Sequence, residues 1–208
     1  MSKDLVALVA DSQQEATLRT LLSRRHASLG IRPLTFDVYR HPHKDPGVFH
    51  EAPEFLAAYP SPAPGGSHAL VLLDAAWEGA PGDAEMLRAD LLRRLHLKGW
   101  PADRCQVVVI EPELEVWVWA DSPAVPEVLR TSRADIRALA GRHGGWPEGR
   151  AKPNDPKALF EAVLRQQGRP RSAAIFQELA GRVGLAACTD PAFVLLRETL
   201  VGWFGAHG

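Results

Sequence analysis

Three apolar runs, at residues 5–10, 68–73 and 105–110, constrain this chain more than any other feature. Each is of strand length, and each stops at an acid: Asp11, Asp74 and Glu111. A strand with one wet face alternates apolar and polar side chains. An unbroken run has both faces buried, which is the signature of a parallel sheet covered on both sides by helices. The intervening segments supply such helices. Asp11 or Ser12 can cap one, with Glu15 in its first turn and Ala16, Leu18, Leu21 and Leu22 on an apolar face. Met86, Leu87, Leu91, Leu92 and Leu95 have helical spacing over 83–98, and Leu34, Phe36 and Val38 alternate as a further strand. Residues 41–47 and 59–67, rich in Pro and Gly, read as breaks. The predicted order is β-α-β-β-α-β over residues 1–121: an α/β fold with a Rossmann-like, mostly parallel sheet flanked by helices. From Pro123 only helical patterns follow, at 132–141, 156–166, 171–183 and 191–204, so residues 122–208 are expected to form an all-helical extension packed on that core.

Composition narrows the class. At 208 residues with 46% hydrophobic side chains, the chain can bury a full core. No apolar run approaches the roughly 20 residues of a bilayer span. Met-Ser-Lys-Asp leads into the first apolar run without a long h-region or cleavage site, so we expect a cytoplasmic protein with no membrane partner. Two cysteines, Cys105 and Cys188, are too few for a disulfide scaffold or a sulfur-rich zinc site and read as core thiols. His41 and His43 lack a third ligand at usual zinc spacing, although with Arg40 and Lys44 they make a basic loop able to face a phosphate backbone. There is no Gly-x-x-x-x-Gly-Lys phosphate loop and no Gly-x-Ser-x-Gly elbow, which argues against an ATPase or an α/β-hydrolase. The net charge of −1 hides a division: residues 45–121 hold thirteen acids against five bases, and residues 122–171 hold ten bases against five acids. Such a chain can hold a metal in one place and phosphate in another, or simply present a solvated basic helix face.

Ligands of open parallel sheets bind beyond the carboxyl ends of the strands. Asp11, Asp74 and Glu111 lie at three such ends, Glu15 is one helical turn beyond Asp11, and Glu113 and Glu115 follow Glu111. Glu115 begins the segment Val-Trp-Val-Trp-Ala and is expected to turn inward, whereas Glu111 and Glu113 are expected to alternate toward solvent. Singly, Asp11 and Asp74 also read as helix caps. Together, so many anions call for a cation, and oxygen-rich sites favour Mg²⁺ or Mn²⁺. One or two such ions orient a phosphodiester and activate water.

At these residues the chain resembles the Toprim-fold nucleases, particularly the Toprim-like proteins of bacterial phage-defence loci related to the overcoming-lysogenization-defect class. Asp11-Ser-Gln-Gln-Glu15 is similar to the family's Glu-Gly-x-x-Glu motif, with Asp for Glu and Ser for Gly. Asp74-Ala-Ala76 keeps only the first acid of Asp-x-Asp, unless Glu78 substitutes for the second, and Glu113 to Asp121 resembles the Glu-x-Trp-(x)n-Asp segment. Lys152-Pro-Asn-Asp-Pro-Lys157 is similar to a downstream lysine-containing helix start. The resemblance implies a metal-dependent phosphodiesterase or nuclease subunit of a prokaryotic anti-phage defence system, cutting DNA or RNA beside an ATPase partner. Catalysis would fall to Asp11, Glu15, Asp74, Glu115 and Lys157, with Lys152 or Lys157 offsetting phosphate charge. Mg²⁺ or Mn²⁺ would be held by Asp11, Glu15, Asp74, Glu115 and Asp121. The missing acid at Ala76 supports the rival expectation of a non-catalytic Toprim-like subunit that binds an ATPase or modification complex. A free-nucleotide hydrolase with the basic extension as a lid is a third. Trp146, in a loop of the basic segment, is the tryptophan placed to stack on a base.

Overall fold

The computed structural model describes residues 3–59, 66–143, 145–185 and 188–205; Met1, Ser2 and most of the expected break at 59–67 lie outside the described residues. Four strands form one all-parallel sheet: β1 (Leu5–Val9), β2 (Phe36–Arg40), β3 (His68–Asp74) and β4 (Cys105–Ile110), in the order β2-β1-β3-β4. The central strand β1 pairs Leu5 with Phe36 on one side and with His68 on the other. Its side chains divide cleanly. Leu5, Ala7 and Val9 enter one core cluster, and Val6, Leu8 and Ala10 enter the other. In β3, Leu70 and Leu72 oppose Ala69, Val71 and Leu73 in the same way. Two buried faces explain the continuous apolar runs, and the fold is the α/β, Rossmann-like architecture that they predict.

The helices, in chain order, are α1 (Ser12–Arg24), α2 (His26–Leu29), α3 (Lys44–Ala57), α4 (Ala84–Leu97), α5 (Glu115–Val118), α6 (Ala124–Leu129), α7 (Arg133–Ala140), α8 (Pro156–Gln166), α9 (Ala173–Arg182) and α10 (Pro191–Phe204). Residues of α3 and α4 cover one face of the sheet, and residues of α1 and of α5 to α10 share a single continuous core over the other. Among the described residues no helix is long and apolar enough to cross a membrane.

The sequence predicts no helix between the second and third strands, yet α3 fills that crossover and makes the order a regular β-α alternation. Its breakers are accommodated one by one. Pro46 lies in the first turn, where a missing N–H leaves no helical bond unmade. Gly47 is needed for close packing, because a Cβ there would fall 2.0 Å from Nδ1 of His41. Pro53 removes the donor that the Phe49 carbonyl would otherwise meet one turn on, and Arg94 of α4 replaces it. Its Nη2 donates to Phe49 O at 2.7 Å and its Nη1 to His50 O at 3.3 Å, while the guanidinium lies 4.6 Å from the Phe49 ring centroid. A tertiary contact thus repairs what local propensity forbids.

Candidate functional site

The carboxyl edge of the sheet gathers five acids whose charges act on one another: Asp11 after β1, Asp45 in the first turn of α3, Asp74 ending β3, and Glu113 and Glu115 after β4. Asp74 is the centre. Its Oδ1 accepts from Gln14 Nε2 at 2.9 Å and from Leu114 N at 3.1 Å, and its own N–H donates to Asp45 Oδ1 at 2.8 Å. Burial, followed by the charges of Asp45, Glu115, Asp11 and Glu113, pushes the Asp74 carboxyl well above the usual carboxylate range. Burial also raises Asp45, against the hydrogen bond from Asp74. Asp11 acts as the N-cap of α1, accepting from Gln13 N at 2.9 Å and Gln14 N at 2.8 Å.

Gln14 fastens two strand ends together. It is fully buried, takes Ala10 N onto Oε1 at 2.9 Å and gives Nε2 to Asp74. The helical repeat explains why Gln14, and not Glu15, faces the site. Gln14, Leu18 and Leu21 lie on the buried stripe of α1, whereas Glu15 sits beside it in an i,i+4 pair with Arg19 at 2.9 Å. Glu15 is thus engaged by Arg19 and is not among the charges acting on Asp74.

Glu115 turns inward as expected and is fully buried at the start of α5. Its cation comes from the basic extension: Arg171 Nη2 lies 2.8 Å from Oε1. The approach is a charge contact without hydrogen-bond alignment, since both Glu115 oxygens and Arg171 Nε remain without a hydrogen-bond partner. Burial raises the Glu115 carboxyl, partly opposed by Arg171. Glu113, expected to face solvent, instead meets Lys157 Nζ at 2.6 Å. Burial works against the Lys157 ammonium, but the contact with Glu113 outweighs it and lifts its pKa above the usual lysine value.

Other expected participants lie elsewhere. Asp121 is 88% exposed and pairs with Arg133 at 2.9 Å, because the four-residue α5 redirects the chain between Glu115 and Asp121. Glu111 is exposed, as are Ala76 and Glu78, and Glu78 is absent from the charges acting on Asp74. Lys152 donates to Val116 O and Trp119 O, both at 2.9 Å, and so ties down the carbonyl end of α5; burial lowers its pKa. His41 and His43 both approach Glu51, at 3.3 and 3.6 Å. Cys105 and Cys188 are free thiols, with Cys105 pushed up to about 11 by burial.

Beside the acids opens a cavity lined by Asp11, Ser12, Gln13, Arg40, His41, Lys44 and Arg171. Arg40 and Lys44 are exposed there, and Lys44 takes a left-handed φ of 51°, a sparsely populated conformation for a side-chain-bearing residue.

Three of the acids already have partners within the protein. Among the described residues no group of three or more His, Cys, Asp or Glu side chains is placed to hold a metal ion. Asp74 spends Oδ1 on Gln14 and Leu114, and Glu113 and Glu115 face cations of the protein itself. Asp45 and Gln14 were not among the expected site residues, and Arg171 was expected only as one of the ten bases of residues 122–171. The stripe of α1 pointed to Gln14, whereas nothing local to Asp45 or Arg171 marks either. No family model, no curated protein and no solved structure matches this chain.

Proposed function

We propose that this chain is a non-catalytic, Toprim-like subunit that receives the phosphate backbone of a nucleic acid at the carboxyl edge of its sheet and works beside an ATPase partner. The observation that carries the reading is that the strand-end acids are compensated from within, by Gln14, the Leu114 amide, Lys157 and Arg171. A cluster so neutralised needs no metal to exist. The missing acid at Ala76 and the amide at Gln14 point the same way. Arg40 and Lys44, exposed on the cavity lining, supply the anion-binding rim, and the ATPase is the partner that the family resemblance implies.

A second reading, a metal-dependent phosphodiesterase, is favoured by Glu115, whose two buried oxygens lack hydrogen-bond partners even though Arg171 stands 2.8 Å from one of them. Calorimetry with Mg²⁺ and Mn²⁺ at millimolar concentration, beside incubation with plasmid and transfer RNA, separates the two. The first reading expects neither metal binding nor cleavage, with Arg40→Ala and Lys44→Ala each weakening nucleic-acid binding and flattening its salt dependence. Metal binding and cleavage that disappear in Glu115→Gln would establish the second.

A further inference from the structure

We propose that the helical extension carries a separate binding site for a nucleotide unit, with its base on Trp146 and its phosphate on Arg137 and Arg150. The site is a cavity of about 340 Å³ between α6, α7 and the loop before α8, lined by Trp119, Asp121, Arg133, Arg137, Trp146 and Arg150 among others. Ligand pockets begin at roughly this size.

The floor is aromatic and held from behind. Trp119 is fully buried, with its indole N–H given to Pro156 O at 2.9 Å, and its ring meets Trp146 edge-on, centroids 5.7 Å apart at 70°. Trp146 is itself fixed by its N–H to Arg150 O at 2.8 Å. It is half-buried, and Arg137 lies over its ring at 4.0 Å. The ring packs against the hydrophobic core, and the cation that lies over it is exposed. A base stacked on an aromatic face is worth more than an exposed cation–π contact, so a base can take the ring and release the guanidinium to a phosphate.

The charges suit an anion. Asp121, the acid in this lining, is already matched by Arg133 at 2.9 Å. Arg137 and Arg150 have no carboxylate partner among the described residues; Arg150 is steadied by Asn154 Oδ1 at 3.1 Å. Forked guanidinium donors bind phosphate oxygens in pairs, and an aromatic floor beside them distinguishes a nucleotide from bare phosphate. The site goes beyond the strand-end reading and stands without it. The two are linked physically by α5, which begins at Glu115 in the acid cluster and is capped by Trp119 in this cavity.

The test is binding of the full chain, in EDTA, to fluorescein-labelled oligothymidylate and, by calorimetry, to thymidine monophosphate and tripolyphosphate. We expect the oligonucleotide to bind, the Arg137→Ala/Arg150→Ala double variant to weaken it about tenfold, and Trp146→Leu to do likewise while Trp146→Phe retains binding. Thymidine monophosphate bound with the same sensitivities identifies a free nucleotide as a sufficient ligand; oligonucleotide binding alone identifies a strand. Both outcomes support the site. Tripolyphosphate bound as tightly as either, or unchanged oligonucleotide binding in the double variant, would overturn it. Because Arg137 and Arg150 are exposed, that double variant keeps the test intact if Trp146→Leu fails to fold. Loss of binding in Arg40→Ala/Lys44→Ala but not in the double variant would uphold the strand-end reading and refute this one.

Discussion

Arg171→Ala should destabilise this protein in a manner that depends on pH, because it leaves Glu115 as a buried charge without its contacting cation. Breaking a buried pair from one side costs about 3–5 kcal/mol. Arg171 is still 28% exposed, so the pair is incompletely desolvated, and a loss of about 2–3 kcal/mol near pH 8 is the appropriate expectation. At about 2–4 °C per kcal/mol for a chain of this length, the melting temperature should fall by roughly 5–10 °C. The sign follows from the titration of Glu115, whose folded pKa burial already raises and whose partner Arg171 restrains. Without Arg171 that pKa rises further. A group raised on folding contributes fully below its unfolded value, about 4.3 for Glu, and loses that contribution as pH rises through the folded value. The deficit of Arg171→Ala should therefore be small near pH 5 and grow toward pH 8. Combining it with Glu115→Gln removes the buried charge and should restore most of the loss. Thermal unfolding of wild type, both single variants and the double variant at the two pH values measures the coupling. An equal deficit at both pH values, or a double variant as unstable as the sum of the singles, would refute the reasoning.

Three further outcomes follow. Asp74→Asn keeps an acceptor for Gln14 and Leu114 while removing a charge that burial and four neighbouring acids disfavour; it should raise the melting temperature at neutral and alkaline pH and change it little near pH 4, read by the same thermal scan. Arg94→Ala should cost about 1–3 kcal/mol by orphaning the Phe49 carbonyl, and Pro53→Ala, which restores a helical donor to that carbonyl, should recover part of the loss in denaturant titration. Lys152→Met should cost about 1–3 kcal/mol, since Val116 O and Trp119 O lose their shared donor, and amide exchange should quicken around α5 while exchange in β1 stays slow.

The sheet was legible because its signal is local and repeated. Three apolar runs ending in acids, the third interrupted only by Gln106, announce doubly covered parallel strands, and α8 and α10 begin at Pro156 and Pro191, where a proline after a capping Asp makes a helix start visible in one dimension. Helix α3 was hidden by Pro46, Gly47 and Pro53, of which Gly47 is required by the close approach of His41 and Pro53 is offset by Arg94, both residues outside the helix. Of the expected site, Asp11, Asp74, Glu115 and Lys157 do meet at one edge, Glu113 joins them, and Glu15 and Asp121 stand apart with Arg19 and Arg133.

The amino-acid sequence by itself determined the parallel α/β core and the acids at its strand ends, because strand burial and capping are read from neighbours a few residues apart. Which acids face one another, and what neutralises them, was decided only in three dimensions. Asp45 comes from another crossover, Arg171 is 56 positions beyond its partner Glu115, and a single helical step on α1 separates the buried Gln14 from the half-buried Glu15. Electrostatic energy depends on distance and burial, and neither is a property of position along the chain.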